Sequence, residues 1–204
     1  VLRPWGNIVE VGRDPFVGRF TPDGRFYVTS DWGRDLQATT LEGRVPRVPS
    51  GISVIRLADP GADPALARHA RVATATTDAS AEGLAISRDG RLIATINMRD
   101  TAFPPTSPRF QREATVTLLT FDPQTGLVEK VADYPFEGVL PEGGTFDLTG
   151  DHLLVTVFQG HQDAEPNAGA GIEVFRVVRG ERPALVRVGR IPMPHGAHHV
   201  DVAR

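Results

Sequence analysis

The 204-residue chain contains no cysteine. Disulfide staples, thiolate metal sites and cysteine nucleophiles are therefore excluded, while the compartment stays open. No apolar run approaches the roughly 18 residues that a membrane-spanning helix needs. Neither sign of charge dominates, since 22 basic and 25 acidic residues are scattered along the chain for a net charge of −3. With no basic stripe to neutralise phosphates, nucleic acid is not an expected partner. Lysine is nearly missing, Lys130 being the only one; arginine replaces it evenly, which reads as compositional bias. There is no G-x-S-x-G elbow, no phosphate-cradling glycine loop and no H-E-x-x-H helix, so serine hydrolase, NTPase and zincin readings have no support. The chain opens on Val1, so the lack of a targeting segment says nothing about localisation, which stays unknown.

What is present is a repeat. Ala81–Asn97 (AEGLAISRDGRLIATIN) reads as two short apolar strands around an Asp-Gly turn, a strong hairpin signal because glycine accepts the positive φ of such turns. Phe16–Asp31 (FVGRFTPDGRFYVTSD) repeats it closely, and Glu142–Phe158 (EGGTFDLTGDHLLVTVF) more loosely. The turn glycines Gly24, Gly90 and Gly150 stand 66 and 60 residues apart (90−24 and 150−90). A period of this length signals a repeat architecture. After each hairpin come a long loop and two further strands: Ile52–Leu57 and Ala67–Thr76, then Thr115–Phe121 and Leu127–Tyr134, then Ile172–Val178 and Leu185–Ile191. A short helix from Asp63-Pro64 competes for part of the second of these.

Four strands, three times over, with no helical period, predict an all-β fold of β-propeller blades. A four-stranded sheet with two apolar faces cannot stand alone, so such sheets stack around an axis and bury each other. Blades are expected over 16–77, 80–138 and 141–193. Residues 1–12 are expected to supply an outer strand of a preceding blade, centred on Asn7–Val11, and 195–204 an inner strand of a closing one. Since a ring needs about four to eight blades, three are an open fragment. Either the chain is the C-terminal part of a longer one, which we favour, or protomers pool blades. The residues opening each inner strand then converge on the channel mouth: Gly18 and Arg19, Glu82, Glu142, and His195 with His198. Loops carrying Asp31, Trp32, Arg34, Asn97, Arg99, Asp100 and His161 hang over the same opening, where function commonly sits on a rigid scaffold.

The segments GRFTPDGRFYVTSD and EGLAISRDGRLIATIN, with the Asp-Pro-x-Thr-Gly turn of TVTLLTFDPQTGLVEKV, resemble the YVTN-type repeat of the seven-bladed propeller lactonase family, which includes 6-phosphogluconolactonase-like and carboxy-muconate cyclase-like members. The resemblance runs from about Phe16 to the end. WD40 and kelch repeats are less similar, since Asp31-Trp32 reverses the Trp-Asp dipeptide and no paired-glycine signature occurs. The resemblance implies a lactone-opening or lactone-forming site built from arginine, glutamate and histidine on inner strands, matched here by Arg19, Glu82, Glu142 and His198. The Gly-Pro-Arg-His opening of an inner strand typical of the family is absent, Pro194-His195-Gly196-Ala197-His198 being the nearest.

Each candidate has a bland alternative. Glu82-Gly83 and Glu142-Gly143 occupy equivalent places, and like charges in a narrow opening raise a carboxyl pKa toward neutrality, as a general base needs. Such carboxylates also simply accept backbone N–H groups. Arg19 is expected as an oxyanion or carboxylate binder, or as an ion-pair partner holding blades in register. His198 is a candidate proton relay. Strand alternation sends His198 and His199 to opposite sides, which disfavours zinc. Trp32, Arg34, Asn97, Arg99 and His195 are candidate substrate contacts, Trp32 by stacking on a sugar-like ring or, alternatively, by covering its own blade. No cofactor is expected; Glu82, Asn97 and Asp31 could imitate a carboxylate–amide site for a divalent metal. The sequence thus supports opening of a sugar-type lactone with water, or a non-catalytic propeller that binds a small molecule or protein, and fold alone does not choose.

Overall fold

The computed structural model describes residues 4–165 and 168–203. Twelve strands form three four-stranded antiparallel sheets. The first holds β1 (Pro15–Phe20), β2 (Phe26–Asp31), β3 (Gly51–Arg56) and β4 (Ala70–Thr76). The second holds β5 (Ala81–Ile86), β6 (Leu92–Asn97), β7 (Glu113–Phe121) and β8 (Val128–Glu137). The third holds β9 (Gly144–Phe146), β10 (His152–Val157), β11 (Gly171–Val178) and β12 (Ala184–Pro192). Each sheet keeps sequence order from its first strand to its fourth. First strands lie beside one another (β1 on β5, β5 on β9), as do fourth strands (β4 on β8, β8 on β12). That is the radial arrangement of propeller blades, in an open arc.

The turns do what their residues dictate. Gly24, Gly90 and Gly150 sit at φ +71°, +68° and +73°, and a Thr or Ser hydroxyl opening the first two turns bonds the Asp two residues on. Only glycine takes that backbone without a steric penalty. Blade 2 is covered on both faces, so its central strands β6 and β7 are buried almost throughout. Val116 and Leu118 of β7 face blade 3 with Val155, Val157 and Phe175, while Leu119 and Phe121 face blade 1 with Phe26, Val28 and Val54. Blades 1 and 3 each leave apolar side chains exposed, Phe20 and Val188 among them.

In four places the described residues depart from a simple succession of strands and loops. Asn7–Val11 joins no sheet among the described residues; Asn7 instead brackets His69, accepting its backbone N–H and donating to its carbonyl. With no neighbouring edge to pair with, an alternating stretch has no ladder to enter. The segment 195–203 likewise forms no ladder, although it follows the inner edge of blade 3. The loop after β2 contains a one-turn helix, α1 (Leu41–Arg44), capped by Thr40. Around Asp63-Pro64 the competing readings divide the segment: a turn precedes Ala67, and the strand starts only at Ala70.

A buried ion cluster ties blade 3 to blade 2. Glu173 of β11 is fully buried and accepts from Arg187 and Arg190 of β12. Arg190, buried to the same degree, also donates to the Gly169 carbonyl and, across the blade interface, to that of Glu137.

Candidate functional site at the mouth of the inner strands

Counting back eight residues from the turn glycines (24−16, 90−82, 150−142) identifies Phe16, Glu82 and Glu142 as one repeated position. A β-bulge between Pro15 and Val17 lifts Phe16 out of the ladder, and another between Ala81 and Gly83 does the same for Glu82. Bulges of this kind re-aim a side chain. Two residues earlier, Asp14, Ser80 and Leu140 all take positive φ (51°, 62° and 51°). Their carbonyls accept the N–H of Trp32, Met98 and Phe158. The mouth is thus one backbone device used three times.

The C-terminal segment supplies a fourth occupant. Ser30 of blade 1 donates its hydroxyl to the Glu82 carbonyl, and Thr156 of blade 3 donates in the same way to the His198 carbonyl (2.8 Å). A Cβ on Gly83 would lie 2.6 Å from the Glu142 carbonyl oxygen, and one on Gly143 2.4 Å from that of His198. His198 therefore stands in the next place of the series Phe16, Glu82, Glu142. Its Nδ1 meets Glu142 Oε2 directly, with the Glu142 side chain 13% exposed and that of His198 54%. Phe158 holds the edges of His195 and His198, ring centroids 4.4 and 4.8 Å away.

Electrostatics separates the two glutamates. Burial pushes the Glu82 carboxyl up to about 8; the negative charge of Glu142 adds to this and the Arg34 guanidinium opposes it. At neutral pH Glu82 is therefore mostly a neutral acid, able to donate a proton. Glu142 is instead in contact with an imidazole.

The other candidates divide. Arg34 belongs to the mouth: its guanidinium lies 4.0 Å from the Trp32 ring centroid and 4.8 Å from that of Phe16, and Asp14 grips its Nε at 2.6 Å. Trp32 is covered by Arg34 and, edge-on, by Phe16, so it has no free face for a sugar ring and lines its own blade. Arg19 does not share the glutamates' position. It lies three residues farther along, level with Ala85 and Thr145, and faces an open cavity of about 480 Å³ that Asp201 also lines. Asn97 is fully buried and its amide is spent on Thr95, Thr115 and Thr117. Asp31, its counterpart in blade 1, accepts from Thr29, Ser53 and the Gly12 N–H, and burial holds its carboxyl above the usual range. Arg99 bonds Asp78 and the Glu113 carbonyl of its own blade. Asn97 and Asp31 are thus engaged within their own blades, and among the described residues no three His, Asp or Glu side chains form a group that could hold a metal ion. Sequence reasoning missed Phe16, Asp14 and Phe158; the count from the turn glycines would have found the first.

Fold and mouth together define the class: an all-β protein of propeller blades in an open arc, with acid/base side chains gathered where the inner strands begin. No helix among the described residues is long and apolar enough to cross a membrane. No family model and no curated protein matches the chain. Solved structures do. The chain is similar to a provisionally assigned 6-phosphogluconolactonase from Bacteroides uniformis (TM-score 0.56, 17% identity, 88% of this chain and 40% of that one). It is also similar to hydrazine synthase from Kuenenia stuttgartiensis (0.55, 18%, 89% and 44%). A third match is a protein of unknown function from Desulfotomaculum acetoxidans (0.53, 18%, 93% and 48%). The chain spans less than half the length of each. Such distant likeness carries the propeller fold and no chemistry.

Proposed function

We propose that the mouth opens a sugar-type lactone with water. Glu142 occupies His198 Nδ1, which fixes the imidazole and leaves Nε2 to accept a proton from a water attacking the lactone carbonyl carbon. The Glu142 carboxylate stabilises the imidazolium that forms. When the tetrahedral intermediate collapses, the ring C–O bond breaks and Glu82, protonated near neutral pH, donates its proton to the departing alkoxide. The imidazolium proton then restores Glu82 through solvent, leaving a hydroxy acid. Arg19, too far along its strand to share this position, is not the carbonyl-oxygen partner in this scheme.

The observation that carries this reading is the contact of His198 with Glu142 at the repeat position that also holds the proton-bearing Glu82. The likeness to a provisionally assigned 6-phosphogluconolactonase supports it at the level of fold. Five- and six-membered aldonolactones offered to the chain at pH 7 are expected to release acid faster than spontaneously. Glu82→Gln and His198→Asn are each expected to lose about 10²- to 10⁴-fold in rate, the usual worth of a positioned acid or base. Spontaneous rates with every lactone would defeat this reading and favour a binding propeller.

A further inference from the structure

We propose that Phe158 is a positioning residue for His198. Its ring fixes the plane of the imidazole, so that Nδ1 stays on Glu142 and Nε2 stays turned to the mouth. The proposal deepens the lactone-opening reading and rests on it only for the use to which Nε2 is put.

Phe158 stands eight residues after Gly150, as Met98 stands after Gly90 and Trp32 after Gly24 (158−150, 98−90 and 32−24). The mouth position lies eight residues before each turn glycine, and this second repeated position lies eight after it. Trp32 and Met98 are each 7% exposed, whereas Phe158 is only half-buried. What rests on its ring is the C-terminal segment. The Gly196 N–H donates to the Phe158 carbonyl at 3.0 Å, and Gly196 takes φ +101°, a backbone that favours glycine. That bend brings both His195 and His198 onto Phe158, their rings at 72° and 71° to its plane. An edge-to-face pair at 4.8 Å, as for His198, is the arrangement that ring quadrupoles favour. In blade 1 the same repeated position meets a mouth residue in the same way, Trp32 against Phe16 at 4.9 Å and 89°.

The other contacts of His198 leave the plane of its ring open. Thr156 donates to its main-chain carbonyl, and the glycine at 143 lets that carbonyl approach closely, so the place of the residue is fixed but not its side chain. The Glu142 contact directs one atom, Nδ1. By itself it lets the imidazole swing about the line of that contact, carrying Nε2 through an arc. With 54% of the side chain exposed, burial does not prevent the swing. A second contact, against the ring itself, removes that freedom. The His199 ring, 6.4 Å away, is too distant to do so. Phe158 is itself held at both ends of its peptide unit, its N–H donating to the Leu140 carbonyl while its carbonyl accepts from Gly196.

The test reads the imidazole directly and needs no lactone: long-range ¹H–¹⁵N spectra of the histidines in the full chain at pH 8, where the two tautomers differ in nitrogen shift. Phe158→Leu keeps an apolar side chain and removes the ring. The two ¹⁵N signals of His198 are expected to move toward the averaged values of a free histidine, while the amide signals of 195–203 stay in place. Phe158→Tyr keeps the ring and is expected to keep the parental pattern. In lactone opening, Phe158→Leu is expected to lower kcat about 10- to 10²-fold with KM changed less than about twofold, the signature of a misplaced catalytic group, and Phe158→Tyr to recover most of the loss. Parental ¹⁵N shifts in Phe158→Leu overturn the proposal. Release of the whole segment in that variant, with the amides of 195–203 collapsed, overturns it too, because Phe158 would then anchor the chain and not the ring. If the ¹⁵N signals respond as expected but the parent opens no lactone, the positioning role stands and the lactone reading falls.

Discussion

Replacing Arg190 with methionine removes one partner of a buried charge while keeping most of the side-chain volume. In the folded protein Arg190 donates to Glu173 (2.8 Å from Nε) and to the carbonyls of Gly169 and Glu137, and both charged side chains are shielded from solvent. After the change, Glu173 retains only Arg187, whose side chain is 46% exposed. Breaking a buried pair from one side costs about 3–5 kcal/mol. The two orphaned carbonyls add to this, and the surviving Arg187 contact subtracts, so the sum stays within that range. For a domain of this size, about 2–4 °C of melting temperature accompanies each kcal/mol. Arg190→Met should therefore melt about 6–20 °C below the parent in a circular-dichroism scan at pH 7. Because Arg190 also spans the interface to blade 2, amide exchange should accelerate in β12 and around Glu137 more than in blade 1. A loss under about 1 kcal/mol would refute the reasoning, since it would mean that Glu173 is neutral or hydrated in the native state.

Two further outcomes follow from the mouth. Glu82 has a raised native pKa, about 8 against an ordinary 4.5, so between those values the folded state binds the extra proton. Stability from this group is complete below about pH 4.5 and is lost as pH rises through 8; the melting temperature of the parent should fall from pH 5 to pH 9 more than that of Glu82→Gln. Gly143→Ala would drive a methyl into the His198 carbonyl, and overpacking of this kind costs about 1–3 kcal/mol. It should release segment 195–203, seen as loss of the Glu142–His198 contact in the histidine NMR signals, with the blades themselves still folded.

Much of the fold was legible because its signals are local. An Asp-Gly turn between apolar runs specifies a hairpin wherever it occurs, and Gly24 and Gly90 anchor two nearly identical ones. Blade 3 was harder, since its first strand shrinks to Gly144–Phe146. Asn7–Val11 carries the alternation of a strand but has no edge to join, and pairing is not a property of one segment. At the mouth, the like positions of Glu82, Glu142 and His198 were readable from blade openings. Arg19 lies on the same inner strand as Phe16 but stands five residues before Gly24, whereas Phe16 stands eight before it (24−19 and 24−16). Only the count from the turn glycine separates the two. Nor could sequence reveal that Asn97 spends its amide inside its own blade, or that Arg34 folds back onto Trp32. The first outcome follows from the β6–β7 register, which sets Asn97 opposite Thr115, and the second from the path of the loop after β2; hydrophobic periodicity encodes neither.

The left-handed backbone shared by Asp14, Ser80 and Leu140 has a further meaning. Three chemically unrelated side chains tolerate the same bend, so the bend is imposed by the surrounding framework and not by the residue occupying it. Whatever amino acid follows two places later is delivered to the same spot, as into a row of identical sockets. Exchanging the plug in one socket, phenylalanine for glutamate or glutamate for histidine, would alter the chemistry at the rim while leaving the framework that holds it unaware of the change.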